Sequence, residues 1–288
     1  MKIKLTQIEE IKKLFYTDNF ITEDNQRIDN NPEKKLEKLS EENQEKTREK
    51  KLPFFKAISF YMSFLGLVFS LRRAILKNVW TQELFIQHCF QVIKIAEKFG
   101  ARFEIKGLDN LRKEQGPFVF TANHMSTLET VIFPAVIGSI INVTYVVKQS
   151  LVKNFIFGPI MKTRNPIAVE RKDPRKDLDT VLVKGAELLS SGCSVVIFPQ
   201  ATRTTSFDPD KFNSLGIKLA KRAGASVIPV ALKTDFWENG KLLSTIGNIY
   251  PARTVHIEFG APVKIDGAGK KEHEGMIAFI KSRFDSWK

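Results

Sequence analysis

The chain has 288 residues, 43% of them hydrophobic and 27% charged, and a net charge of +13. That apolar content is enough for a sizeable core and excludes a wholly disordered chain, and 16 Gly with 12 Pro exclude a collagen-like or linker-dominated one. Cys89 and Cys193 are the only cysteines, which excludes a disulfide framework and a thiolate zinc site, while the basic balance expects nucleic acid, an anionic membrane or a phosphorylated substrate as partner.

Residues 1–52 carry twelve basic and twelve acidic side chains and are read as a charged N-terminal appendage. The first 30 contain no apolar run of the length a secretory signal needs. Residues 31–52 are nearly all polar, which fits a solvated helix with pairs such as Glu42 and Lys46, or a disordered segment. The composition changes at Leu52. Residues 57–71 are fifteen uncharged residues, short of the roughly 20 that a spanning helix needs, and Arg72, Arg73 and Lys77 follow. That pattern predicts a helix dipping into one leaflet with its cations at anionic headgroups. Ser59, Ser63, Gly66 and Ser70 form a stripe of small residues on it, of the kind that lets a second helix approach closely in lipid. Over 79–99, Glu83, Gln87, Gln91, Lys94 and Lys98 share one face, with Leu84, Phe85, Val92, Ile93 and Ala96 toward the other, predicting an amphipathic partner helix. Residues 53–100 are thus read as a membrane-associating helical pair; a buried hairpin of a soluble core is the other reading.

From 101 to 288 the pattern alternates. Short β-rich runs fall at 101–107, 117–123, 142–148, 166–170, 194–199, 226–232 and 255–260, with helix-like stretches at 126–137, 151–162, 174–191, 211–224 and 270–286. Alternation of this kind predicts an α/β fold with a mostly parallel central sheet flanked by helices. Continuous apolar runs such as SVVIF fit strands covered on both faces. No strand is followed by GxGxxG or a phosphate-binding P-loop.

Ligands of such sheets gather at the carboxyl ends of strands, and two of those ends carry chemistry. Asn123 and His124 follow one strand, and Glu129 lies at the start of the next helix. The carboxylate is placed to fold back onto one imidazole nitrogen and fix the tautomer, leaving the other to take a proton from a hydroxyl. The same spacing fits a histidine at a helix start with Glu129 favouring the positive helix end. The second end is the turn Phe198-Pro199-Gln200-Ala201-Thr202-Arg203. Arg203 offers a planar fork for a phosphate, and the turn amides can hold an oxyanion or phosphate; an arginine salt-bridged at a strand end is the alternative. Ser126 lacks a strained Gly-x-Ser-x-Gly setting and reads as a helix cap or substrate contact rather than a nucleophile. Cys193 reads as a packing residue, Trp80 as an interfacial anchor or core, and His88, His256 and His273 lack metal-ligand spacing.

Together, Asn-His-x4-Glu and Phe-Pro-x-x-Thr-Arg about seventy-five residues later resemble the glycerolipid acyltransferase family, in particular the 1-acylglycerol-3-phosphate and related lysophospholipid acyltransferases. Lys148 in Tyr145–Leu151, Phe157-Gly158-Pro159, Ile167–Arg171 and Val227–Ala231 extend the resemblance over about 101–262. The resemblance implies an acyltransferase in which His124 is the general base and Glu129 its orienting carboxylate, with no acyl-enzyme. Substrate contacts are then implied for Asn123, Lys148, Arg171, Gln200, Thr202 and Arg203, the cations holding the acceptor phosphate. The implied partners are an acyl-CoA or acyl carrier protein donor, a lysophospholipid acceptor and an anionic membrane surface on the cytoplasmic face, with no metal or other cofactor. Three positions depart from the pattern: Glu129 stands where Asp is usual, Gln200 where Glu is usual and Ala201 where Gly is usual. The latter two leave room for another acceptor, such as a different lysolipid or an aminoacyl lipid. A non-catalytic lipid-binding protein would not need both His124 and Glu129, and nucleic-acid binding is disfavoured because no aromatic platform interleaves the basic residues.

Overall fold

The computed structural model describes residues 49–138, 140–240, 243 and 245–287, so the appendage expected over 1–52 lies almost wholly outside the described residues. Helix α1 spans Phe54–Leu76, longer than the uncharged run, because it continues through Arg72 and Arg73. Its buried residues Phe60, Phe64, Val68 and Leu71 recur at helical spacing and define one inward face. In the small-residue stripe nothing approaches within 4 Å of where a Gly66 side chain would sit, and the Ser70 hydroxyl meets the next helix, 3.2 Å from His88 Nε2. Helix α2, Gln82–Lys98, starts at Thr81, whose side chain accepts from the Leu84 amide at 3.1 Å, and buries Phe85, Cys89, Val92, Ile93 and Ala96. Its inward set is the one the amphipathic pattern predicts, except that Leu84 is half-buried and Cys89 joins the buried face.

The body follows as β1 (Arg102–Lys106), β2 (Phe118–Ala122), α3 (Thr127–Ile137), β3 (Val143–Lys148), α4 (Gln149–Val152), α5 (Gly158–Thr163), β4 (Ile167–Val169), α6 (Pro174–Ser190), β5 (Ser194–Ile197), α7 (Leu215–Ala223), β6 (Ser226–Lys233), β7 (Thr254–Phe259) and α8 (Lys270–Ser286). Two predicted helices differ. The stretch 151–162 is interrupted, because Asn154 Oδ1 accepts from the amides of Ile156 and Phe157 and holds them in a turn, after which a new helix starts at Gly158-Pro159. The stretch 211–224 becomes helical only at Leu215, whose amide is taken by Asn213 Oδ1 at 2.9 Å.

The seven strands are ordered β1-β7-β6-β2-β5-β3-β4. All pairs are parallel except β6–β7. Among the described residues the β6–β7 connection contains no helix to carry a crossover, and β7 returns antiparallel beside β6. Both faces are covered. Phe118, Phe120 and Ala122 of β2 join Phe60, Ile93, Ile132 and Phe133 in one core, while Val119 joins Val181, Val195, Ile197 and Ile217 in the other. Residues 53–100 therefore share their core with the sheet. After β2 the chain crosses β5 to reach β3; after β5 it crosses β2 to reach β6. The two connections leave in opposite directions, so the crevice between the carboxyl ends of β2 and β5 is the topological switch point.

Candidate active site

The two polar strand ends meet in that crevice. Ser126, extended at φ −142°, ends the β2 turn and N-caps α3; its hydroxyl accepts from the Leu128 amide at 3.1 Å. Glu129, at the third helical position, folds back to complete a capping box. Its Oε1 accepts from the amides of Met125 at 2.7 Å and Ser126 at 2.8 Å, and from His124 Nδ1 at 2.9 Å. Its Oε2 accepts from the Ser126 hydroxyl at 2.7 Å and the Thr234 hydroxyl at 2.5 Å. The two readings of this spacing, helix cap and histidine partner, are thus one arrangement. An ionised carboxylate only accepts, so Nδ1 carries the ring hydrogen and Nε2 keeps a lone pair.

Burial pushes the Glu129 carboxyl up, but the hydrogen bond from His124 and its charge when the ring is protonated, with the Thr234 and Ser126 hydroxyls, outweigh it and hold the group below the usual carboxylate range. The Glu129 side chain is fully buried, whereas His124 is 13% exposed, so a substrate meets the pair through the imidazole. The ring lies on Phe198, with centroids 4.2 Å apart and planes 20° from parallel, which fixes its tilt.

The Phe198–Arg203 turn is fastened to the same spot. Gln200 Oε1 accepts from the His124 amide at 3.2 Å, its Nε2 donates to Thr204 Oγ1 at 3.1 Å, and the Thr204 amide donates to His124 O at 2.9 Å. Ala201 sits at φ 60°, a conformation that costs a non-glycine residue about 1–2 kcal/mol. Its carbonyl accepts from Arg171 Nη1 at 2.6 Å, tying the β4 and β5 ends together. The amides of Ala201 and Thr202 donate to Phe198 O and Gln200 O inside the turn, so neither is available as the oxyanion donor expected from sequence. Arg203 makes a long 3.5 Å contact with Asn239 Oδ1 and is partly buried; burial pulls its guanidinium pKa down and the Glu129 charge pushes it back.

The predicted site residues fall into two groups. Lys148, Arg171, Thr202 and Arg203 gather at or just beyond the carboxyl ends of β3, β4 and β5, with Lys148, Arg171 and Thr202 exposed. Asn123 and Gln200, expected at the substrate, face inward instead. Asn123 is 1% exposed, and its amide donates to Leu232 O and accepts from Leu232 N, both at 2.8 Å, pinning the end of β2 to β6. Two residues that the sequence reading missed complete the site: Thr234 on Glu129, and Asn239, whose Nδ2 donates to Met125 O at 2.5 Å. Both follow β6, and only the β6–β2 pairing brings them near His124. Among the described residues no cluster of His, Cys, Asp and Glu is arranged to hold a metal ion.

A family model described as Acyltransferase matches residues 102–233. The chain is 30% identical over 189 residues to the 1-acyl-sn-glycerol-3-phosphate acyltransferase of Pseudomonas aeruginosa, covering 65% of this chain and 68% of that protein. It is 28% identical over 144 residues to the chloroplastic 1-acyl-sn-glycerol-3-phosphate acyltransferase LPAT1 of Arabidopsis thaliana, half of this chain but only 38% of that longer protein. In three dimensions it resembles the crystal structure of the 1-acyl-sn-glycerophosphate (LPA) acyltransferase PlsC of Thermotoga maritima. The TM-score is 0.56 at 19% identity, over 80% of this chain and 93% of that one, a likeness of fold.

Proposed function

The chain belongs to the acyltransferase family, and on that premise we propose that it moves a fatty acyl group from acyl-CoA or acyl carrier protein to the free hydroxyl of 1-acylglycerol-3-phosphate, giving phosphatidic acid. The observation that carries this reading is the 2.9 Å bond from His124 Nδ1 to a carboxylate held by four further donors, which leaves Nε2 as the base. Nε2 takes the proton of the acceptor hydroxyl as its oxygen attacks the thioester carbonyl. The thiolate leaves, and the imidazolium returns the proton to it. Glu129 stays ionised throughout and stabilises the imidazolium. Lys148, Arg171 and Arg203, with the Thr202 hydroxyl, receive the acceptor phosphate. Gln200 uses its amide to fasten the turn to the His124 backbone and to Thr204, so Gln where Glu is usual bears on how the two strand ends are held before it bears on the acceptor.

The reaction is expected beside a membrane, on its cytoplasmic face. α1 turns Phe54, Phe55, Ile58, Met62 and Phe69 outward, with Arg73 and Lys77 at its end. Phe155, 79% exposed, is held against α1 by Arg72, which lies over its ring at 4.6 Å and donates to its carbonyl. An apolar face flanked by cations suits the boundary between acyl chains and headgroups.

The test is full-length protein with labelled acyl-CoA and a panel of lysolipids, products resolved by mass. Phosphatidic acid should form, and His124→Ala should cut turnover by about 10²–10⁴-fold. More than roughly a tenth of wild-type turnover in the folded variant sinks the mechanism. Arg203→Ala or Lys148→Ala should reduce efficiency toward a phosphorylated acceptor by roughly tenfold to a hundredfold, the worth of a charge-assisted hydrogen bond. An equal loss with a phosphate-free acceptor sinks the assignment of those cations to the phosphate.

A further inference from the structure

We propose that Thr234 is a positioning residue for acyl transfer, fixing through its hydroxyl the oxygen of Glu129 that faces away from His124. The proposal rests on the general-base reading of His124. Thr234 lies just beyond β6, is fully buried, and donates to Glu129 Oε2 at 2.5 Å across 105 residues of sequence. The two oxygens of Glu129 have different tasks. Oε1 receives His124 and two backbone amides, while Oε2 receives the hydroxyls of Ser126 and Thr234.

Glutamate carries one more rotatable bond than aspartate, and its terminal torsion is broad. A carboxylate on that longer stem keeps Oε1 on the imidazole only if its far side is also held. Ser126 holds it from α3 itself and so moves with the helix. Thr234 holds it from the neighbouring sheet strand, and therefore fixes Glu129 against β2, where His124 stands. The Ser126 hydroxyl also lies 2.9 Å from Thr234 Oγ1, so the three groups form a closed set with no solvent-exposed member. Thr234 is fully buried and bonds Glu129 and Ser126 rather than the imidazole, so its effect should appear in the chemical step alone.

Thr234→Val keeps the shape and removes the hydroxyl; Thr234→Ser keeps the hydroxyl. Losing a hydrogen bond to a charged group is worth roughly tenfold or more, and because Ser126 remains, about tenfold in kcat is expected for Thr234→Val. KM for donor and acceptor should stay within about twofold, and Thr234→Ser should restore most of kcat. In a Glu129→Asp background the shorter carboxylate cannot bond both His124 and Thr234, so the same Thr234→Val change should cost less than about threefold, a non-additivity of interacting residues. Thermal melting of both variants shows whether the fold is kept. The proposal is overturned if Thr234→Val and Thr234→Ser lose kcat equally, if kcat is unchanged, or if the losses add fully in the Glu129→Asp background. Turnover retained in His124→Ala would bring down the general-base reading and this proposal together. A dead His124→Ala beside an unaffected Thr234→Val brings down this proposal alone.

Discussion

Glu129 takes five donors on two oxygens in full burial, so the residue is structural and chemical at once. Glu129→Gln replaces one acceptor oxygen by a donor that faces hydroxyls or amides already pointing at it, leaving buried polar groups unpaired. It should therefore abolish transfer and also lower the melting temperature. The carboxyl is depressed below its ordinary value of about 4.3. The sign follows from linkage. The stability that ionisation supplies is full above the unfolded value and is lost as pH falls through the lower folded value. The gap in melting temperature between wild type and Glu129→Gln should thus stay constant above about pH 5 and shrink below about pH 4. A gap that widens on acidification would mean that the carboxyl is protonated in the fold. His124, Glu129 and the Phe198–Arg203 turn were legible because each is a short local pattern at a strand end. Thr234, Asn239 and the inward roles of Asn123 and Gln200 were not, because each depends on which strand lies beside which.

The elements were legible where periodicity is local. The seven β-rich runs all contain strands, and α6 and α8 start and stop within a residue of expectation. The errors came from single side chains, Asn154 and Asn213, that take backbone amides and delay a helix. Strand order and the antiparallel turn of β7 were not legible, since pairing is non-local. At α1 the two faces have separable duties. The inward face meets Trp237, whose ring lies 5.1 Å from Phe60 and 5.0 Å from Phe64 in edge-on contact. Phe60→Ala should cost about 3–5 kcal/mol by urea unfolding. Outward Phe55 and Met62, 83% and 63% exposed, make no such contribution, so their change to Ser should leave unfolding unaltered. The same pair of changes should remove much of the salt-resistant binding to vesicles, because each apolar side chain buried in lipid is worth about 1.5–3 kcal/mol. Arg73→Gln and Lys77→Gln should each weaken low-salt binding to anionic vesicles about fivefold, with no effect at high salt. Equal effects at both salt levels would contradict the division between apolar face and cationic end.

For the whole molecule, the decisive relation is between α1 and the body. Its 23 residues give a helix of roughly 35 Å, long enough to cross a hydrocarbon core of about 30 Å. Length alone therefore allows a span, and the case against one comes from what the helix touches. Toward its first half the Tyr61 hydroxyl bonds both the carbonyl and the amide of Gly247; near its far end Arg72 bonds Phe155. A helix held at both ends and packed between them on Trp237 cannot cross lipid without drawing the β6–β7 connection in with it. That connection carries Arg253, paired with Glu49 at 2.9 Å and with Asp235 at 3.5 Å, charges that lipid would strip of water. Removing the helices is no way out either. A chain shortened to begin at 101 would bare Trp237 and Phe133, both fully buried, and should unfold rather than yield a soluble enzyme. α1 is thus expected to lie along the surface with its outer face in one leaflet, leaving residues 1–52 and the body on the same side. Full-length protein in sealed vesicles, treated with protease from outside, should lose the N-terminal segment and be cut in the exposed Arg171–Asp173 segment before α6 together, or show neither cut until detergent opens the vesicles. Cleavage of one without the other in intact vesicles would mean that α1 crosses the bilayer, and its contacts with Trp237, Gly247 and Phe155 would then have to be absent from the membrane-bound form.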